Sequence, residues 1–334
     1  MSRTVAFSKH SVNVFFHILT RCNLHCRHCY INPREHGENT LSFDTITAWL
    51  KLFVDQTKNA NLIFLGGEPT LHPDLDRAVK AAKRMGYASI TIDTNGYLFH
   101  DIIEKITPKE ADFISFSLDG ATSATNDRIR GDGCYHHCIA GIEKTVARGF
   151  KTSLIYTVSN DNIHELPMMP DLLGRLGVSR FFIQVIGLRG KSAAQGKNHL
   201  QVDRSTWRTL IPAVADQAAA IGITVTYPKV FLESADVFEC AGLVAENYFI
   251  FPNGRVYRCP LCEDYPLHSL EIRDNVLVPT GKINEQDLFG LTIPEGCVMN
   301  RLVQAGNLSY RTDGSPEYKI ACCLLKEEIP GRKV

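Results

Sequence analysis

Three cysteines stand within eight residues, in Arg21-Cys22-Asn23-Leu24-His25-Cys26-Arg27-His28-Cys29-Tyr30, with the spacing C-x3-C-x2-C. A short loop of this kind wraps one face of a cubane iron-sulfur cluster with three thiolates and leaves the fourth iron without a protein ligand. Structural zinc prefers four closed ligands, and His25 and His28, which would have to complete such a site, crowd the same short loop. A second group, Cys240, Cys259, Cys262, Cys297, Cys322 and Cys323, lies near the other end of the chain. With Cys134 and Cys138 the total is 11. An odd and high count in a chain that reads as cytoplasmic points to metal or redox chemistry rather than disulfides.

Loops that hold clusters need rigid elements behind them. From about residue 12 to residue 226, β-branched and aromatic runs alternate with amphipathic stretches, the pattern of parallel strands joined by helical crossovers. The predicted strands are Ser11 to Leu19, Asn61 to Leu65, Ser89 to Asp93, Asp112 to Leu118, Thr152 to Val158 and Arg180 to Ile186. Helices are predicted over Ser42 to Asp55, Pro73 to Met85, Asp101 to Ile106, Tyr135 to Arg148, His164 to Leu176 and Asp203 to Ala220, with Ser42 as an N-cap and Gly86, Gly149 and Gly177 closing three of them. After a short strand at Ile223 to Tyr227 the rhythm stops. The expected architecture is α/β: a partial (β/α)6 TIM-type barrel over 1–227 and a smaller cysteine-rich domain over 228–334.

The cysteine triad directly after a first strand resembles the radical S-adenosylmethionine (SAM) superfamily. The resemblance extends along the chain in order, with Gly66-Gly67-Glu68-Pro69, Thr94-Asn95-Gly96 and Ser117-Leu118-Asp119-Gly120 at the ends of the next three strands. It implies that Cys22, Cys26 and Cys29 hold a [4Fe-4S] cluster, that SAM chelates the open iron, and that its one-electron cleavage yields a 5′-deoxyadenosyl radical. It also implies SAM contacts from Tyr30, Gly66, Gly67, Glu68, Thr94 and Asn95, from Ser117 and Asp119, from Arg128 or, preferably, Arg130, from Ser159 or Asn160, and from an apolar strand-six residue such as Val185. Ligand sites on parallel α/β sheets lie at these strand ends.

In the tail, Cys240 to Cys259 reads C-x13-G-x4-C through Gly254, which resembles the opening of SPASM and twitch extensions and implies one auxiliary [4Fe-4S] cluster. Cys240 and Cys259 lead its ligand set. Cys262, Cys297 and Cys322 are further candidates, and the adjacent Cys322 and Cys323 are not expected to serve one cluster together. Asn253-Gly254 supplies hairpin chemistry between Tyr248 to Phe251 and Arg255 to Arg258. Cys134 and Cys138 sit one helical turn apart and read as core residues.

Lys plus Arg (36) equals Asp plus Glu (36), so no global field draws the chain to nucleic acid, and no apolar run is long enough to span a membrane. The family's relatives suggest a peptide, protein or cofactor-precursor substrate and an electron donor such as flavodoxin or ferredoxin. The alternatives are a GTP-cyclising enzyme of the molybdenum-cofactor type and a non-catalytic metal-binding or redox-sensing protein.

Overall fold

Along Ser11–His17, Val12, Val14 and Phe16 are buried on one face, while Asn13 and Phe15, on the other, are only half-buried. Side chains alternate across a strand, so one face packs under helices and the other lines a lumen. Phe16 stacks on Trp49 of the helix Phe43–Leu50, with ring centroids 6.1 Å apart. On the lumen side Asn61 Nδ2 donates to Asn13 Oδ1 (3.1 Å) and Asn13 Nδ2 to Asn247 Oδ1 (2.9 Å).

The computed structural model describes residues 2–5, 7–54, 59–97, 101–194 and 198–332. Its strands are β1 (Arg3–Val5), β2 (Ser11–His17), β3 (Asn59–Leu65), β4 (Ser89–Thr94), β5 (Phe113–Ser117), β6 (Thr152–Val158), β7 (Arg180–Val185) and β8 (Thr224–Pro228). β9 (Phe231–Glu233), β10 (Glu246–Ile250), β11 (Arg255–Tyr257), β12 (Leu270–Arg273), β13 (Val276–Pro279), β14 (Tyr318–Ile320) and β15 (Lys326–Ile329) follow. Strands β2 to β8 run parallel and pair in chain order, forming the partial barrel.

The tail extends this sheet. β10 pairs parallel with β2, in the register Asn247↔Asn13, and leads into the antiparallel ribbon β11–β12–β13; β15 pairs antiparallel with β8 at the other side. A separate pair, β9 with β14, completes the tail. Each predicted helical segment contains a helix, but the first ends at Leu50 rather than near Asp55. The stretch from His164 is a 3-10 turn, Ile163–Met168, before the α-helix Met169–Leu176, because Pro167 has no N–H to donate. An additional helix, Ser123–Arg130, follows β5. Ser42 caps its helix through Thr45 N (3.1 Å), and Gly86 and Gly177 take φ of 93° and 68° at their helix ends. Asp55 itself lies outside the described residues, but the turn over residues 51–53 already closes the first helix. Among the described residues no helix is long and apolar enough to cross a membrane.

Candidate functional site

The cysteine loop leaves the C-terminal end of β2 and is braced from behind by the turns after β3 and β4. Gly67 N donates to Leu19 O and Glu68 N to Arg21 O, both at 3.0 Å. A Cβ on Gly67 would stand 2.4 Å from the carbonyl oxygens of Thr20 and Arg21, so only glycine lets the two backbones meet. The Glu68 carboxylate is buried and takes four bonds from its own chain. Oε1 accepts from Thr70 N (3.1 Å), Thr70 Oγ1 (2.7 Å) and Thr94 Oγ1 (2.8 Å), and Oε2 from Asn95 N (2.7 Å). Asn95 in turn points Nδ2 at Asn23 Oδ1 (2.9 Å) and Cys22 Sγ (3.6 Å). Glu68 thus joins the turns that carry Thr94, Asn95 and the cysteine loop.

On the other flank, Asp119 is fully buried between Arg130 and His28. Its Oδ2 lies 2.7 Å from Arg130 Nε and 3.2 Å from His28 Nε2, and Oδ1 accepts from Thr157 N at 2.8 Å. Burial opposes its charge, but Arg130 and then His28 outweigh that and hold the carboxyl down at about 2. Although paired at ionic distance, Asp119 Oδ2 and Arg130 Nε make no aligned hydrogen bond. Glu165 fixes the turn beneath them by accepting from Ala121 N (2.7 Å) and Thr122 N (3.0 Å).

Between Arg27 and His28 of the cysteine loop and the ends of β6 and β7 opens a cavity of about 340 Å³. Ile129, Ile186 and Leu200 give it apolar walls, and His28, Thr157, Ser159 and Asn162 give it polar ones. The expected Ser159 is here. Val185 is not, because the strand's alternation turns its neighbour Ile186 to the cavity instead. Asn160 is exposed and donates to His199 O (2.6 Å) and Gln201 O (3.0 Å). Arg128 donates outward to Asp161 O, so Arg130 is the inward arginine of its helix. Ser117 lies at the end of β5 between the two flanks.

Tyr30 departs from expectation. Its hydroxyl meets His17 Nε2 at 2.7 Å and its ring lies under the Arg189 guanidinium, on the side facing the tail. The loop residues on the cavity are Arg27 and His28, which the spacing alone did not single out. Cys134 and Cys138 are buried in the core, as expected.

In the tail, Cys240, Cys259, Cys262, Cys297, Cys322 and Cys323 all line one cavity of about 490 Å³. The turn at Cys322, closed by Leu325 N donating to Cys322 O (2.9 Å), places both Cys322 and Cys323 in the lining of this cavity. Burial pushes Cys240 up to about 12, whereas a hydrogen bond from Cys323 lowers Cys322. Glu285, fully buried, holds the near wall by accepting from Arg258 N (2.6 Å) and Cys259 N (2.9 Å).

The profile of the radical SAM superfamily matches residues 16–173, from β2 through the helix after β6. Residues 16–173 belong to the radical SAM superfamily. The chain is 29% identical over 211 residues to Fe-coproporphyrin III synthase of Methanosarcina barkeri, a match covering 61% of this chain and 51% of that protein. It is 26% identical over 281 residues to the mycofactocin maturase MftC of Mycobacterium ulcerans, covering 78% and 70%. The chain thus spans about half the length of the first of these relatives. Its fold is similar to that of Streptococcus suis SuiB bound to its precursor peptide SuiA, with a TM-score of 0.62 at 17% identity over 77% of this chain and 61% of that one.

The donor sets suit the cofactors of a radical SAM protein. The tail cavity is lined by sulfur and apolar groups, with Arg258 its one charged neighbour and no carboxylate or imidazole, a soft set that favours iron-sulfur or zinc over hard cations. Among the described residues no three His, Cys, Asp or Glu side chains converge on a single ion. A cubane takes each thiolate on a different iron and so needs no such point. Beside the first loop, a cavity with apolar walls, hydroxyls and the charged Arg27 and Asp161 fits a nucleoside with a charged tail.

Proposed function

We propose that the chain is a SAM-cleaving enzyme that modifies a peptide, a protein or a cofactor precursor. Cys22, Cys26 and Cys29 would hold the [4Fe-4S] cluster, and Cys240, Cys259 and others of the six tail thiols one auxiliary cluster. The observation that carries the reading is the meeting of the three-cysteine loop with the cavity at Ser159 and Ile186, at the C-terminal ends of consecutive parallel strands. Bound there, SAM supplies a 5′-deoxyadenosyl radical on one-electron reduction, and that radical removes a hydrogen atom from substrate.

The chain's own residues bind and orient. Ile129, Ile186 and Leu200 would cover the purine and Thr157 and Ser159 would face the ribose, while Asn162, whose side chain is bonded to Ser159, Asp119 and Thr157, holds that turn in place. Arg130, held inward by Asp119, meets the amino-acid carboxylate. Glu68, with its bonds completed internally, sets Thr94 and Asn95 rather than touching SAM. The substrate enters the lumen, whose wall between β2 and β6 carries neutral amides and hydroxyls (Asn13, Asn61, Ser115, Ser153) together with the carboxyl of Asp93. Such a wall suits a peptide-like group better than a triphosphate. We infer a boundary near residue 228 between barrel and tail, and a small protein electron donor such as flavodoxin or ferredoxin.

The test is anaerobic reconstitution, reduction and chromatography for 5′-deoxyadenosine, with iron analysis of wild type against a Cys22/Cys26/Cys29 triple alanine variant. Loss of about half the iron and all of the 5′-deoxyadenosine is expected for two clusters of this ligand class. Zinc in place of iron sinks the reading.

A further inference from the structure

One buried cation touches both cysteine loops. Arg189 follows β7, and its side chain is about one-fifth exposed (21%). Its guanidinium carbon lies 4.5 Å from the centre of the Tyr30 ring, next in sequence to Cys29. Nη1 donates to Glu263 Oε2 at 2.5 Å and to the Pro260 carbonyl, so it also grips the segment that contains Cys259 and Cys262. The Glu263 side chain is only 2% exposed, so this contact is sealed from water on the Glu263 side. Cys259 and Cys323 lie within the electrostatic reach of the guanidinium.

Backbone bonds reinforce the same crossing. Lys191 N donates to Cys29 O (2.9 Å), Gly190 N to Asp264 Oδ2 (3.0 Å) and Asn32 Nδ2 to Asp264 Oδ1 (2.8 Å). A Cβ on Gly190, whose φ is 56°, would stand 2.5 Å from Cys29 O, so this turn is built against the first loop.

We propose that Arg189 is a positioning residue that couples the two cysteine sites, fixing the tail loop against the first loop and placing a positive charge beside the auxiliary thiolates. This rests on the reading above that the tail cavity holds an iron-sulfur cluster. Thiolate-bound clusters gain negative charge on reduction, and a fixed nearby cation in a low-dielectric setting stabilises the reduced form. Arg189 therefore raises the auxiliary cluster's potential, and Glu263 limits the rise.

The experiment is a redox titration monitored by electron paramagnetic resonance, with iron analysis, on reconstituted wild type, Arg189→Met, Arg189→Lys and Glu263→Gln. Arg189→Met is expected to move the auxiliary signal to lower potential, with Arg189→Lys intermediate, because a point charge replaces the planar fork. Glu263→Gln moves it the opposite way and keeps the test open if Arg189→Met fails to fold. Auxiliary signals at unchanged potential in Arg189→Met and Glu263→Gln overturn the coupling alone. Wild type that binds no iron beyond one cubane overturns the auxiliary-cluster reading and the coupling with it.

Discussion

Replacing Glu68 by Gln tests whether this carboxylate braces the site or touches SAM. With the amide oxygen in the Oε1 position, the three bonds from Thr70 N, Thr70 Oγ1 and Thr94 Oγ1 survive. The amide nitrogen then occupies the Oε2 position and faces Asn95 N, donor against donor, where 2.7 Å now separates donor from acceptor. Losing a hydrogen bond to a charged group costs about 1.5–3 kcal/mol, and leaving a buried N–H unmet costs about 1–3 kcal/mol more. The rotation that relieves the clash gives up part of the Oε1 set, so we expect a net loss of about 2–5 kcal/mol. Urea unfolding of the apoprotein at pH 7, with the slope unchanged, reads this directly. The variant should also lose iron from the first site, because Asn95 no longer sets Cys22 and Asn23. A Glu68→Gln protein within about 0.5 kcal/mol of wild type, with full iron and weakened SAM binding, refutes the reasoning and returns Glu68 to the ligand.

Asp119→Asn should leave Arg130 buried without its counter-charge and cost about 3–5 kcal/mol in unfolding free energy at pH 7. Because the folded Asp119 is held at about 2, below the ordinary 3.8, its contribution is complete above pH 4 and is lost as pH falls toward 2. The gap between wild type and Asp119→Asn apoprotein should therefore narrow by about 2 kcal/mol over that window, and a constant gap contradicts the pairing. His17 and His36, pushed down to about 3 and about 4 chiefly by burial, remain neutral in the fold, while the unfolded chain protonates near 6.5. The contribution of each histidine should be complete above pH 6.5 and fall by about 1.4 kcal/mol per pH unit below it. Between pH 6.5 and 5, His36→Gln should therefore lose about 1.4 kcal/mol per pH unit less than wild type. In the tail, Cys259→Ala should abolish the second portion of iron, whereas a variant that keeps it in full removes Cys259 from the ligand set.

Much of the site was legible because its chemistry is local. The C-x3-C-x2-C loop, the Gly66-Gly67-Glu68 turn and the Ser117-Leu118-Asp119-Gly120 strand end each act through neighbours in sequence, and alternation in β2 to β7 located the strand ends that carry them. The functions of individual side chains were less legible, because they depend on partners remote in sequence. Nothing near Glu68 announces that Thr94 and Asn95 will fill its hydrogen bonds, and nothing near Tyr30 announces Arg189, 159 residues away. The helix Ser123–Arg130 escaped notice because it is polar and its apolar periodicity is weak. His28 was passed over for Tyr30 because spacing within a loop does not say which way a side chain turns.

The pairing of β10 with β2 bears on the order in which the molecule assembles. The exposed edge of the first barrel strand is satisfied by Glu246–Ile250, so Asn13 waits for a partner 234 residues later in the chain. During synthesis from the N-terminus, β2 to β8 emerge and pair with the edges of both β2 and β8 still bare, since β10 and β15 come later, and unpaired strand edges recruit other chains. A protein shortened to the barrel alone keeps those bare edges permanently, with Phe15 no longer covered by Phe249. The tail that holds the second set of thiols is therefore also the piece that seals the sheet, and protection of the barrel from aggregation arrives only with the last third of the chain.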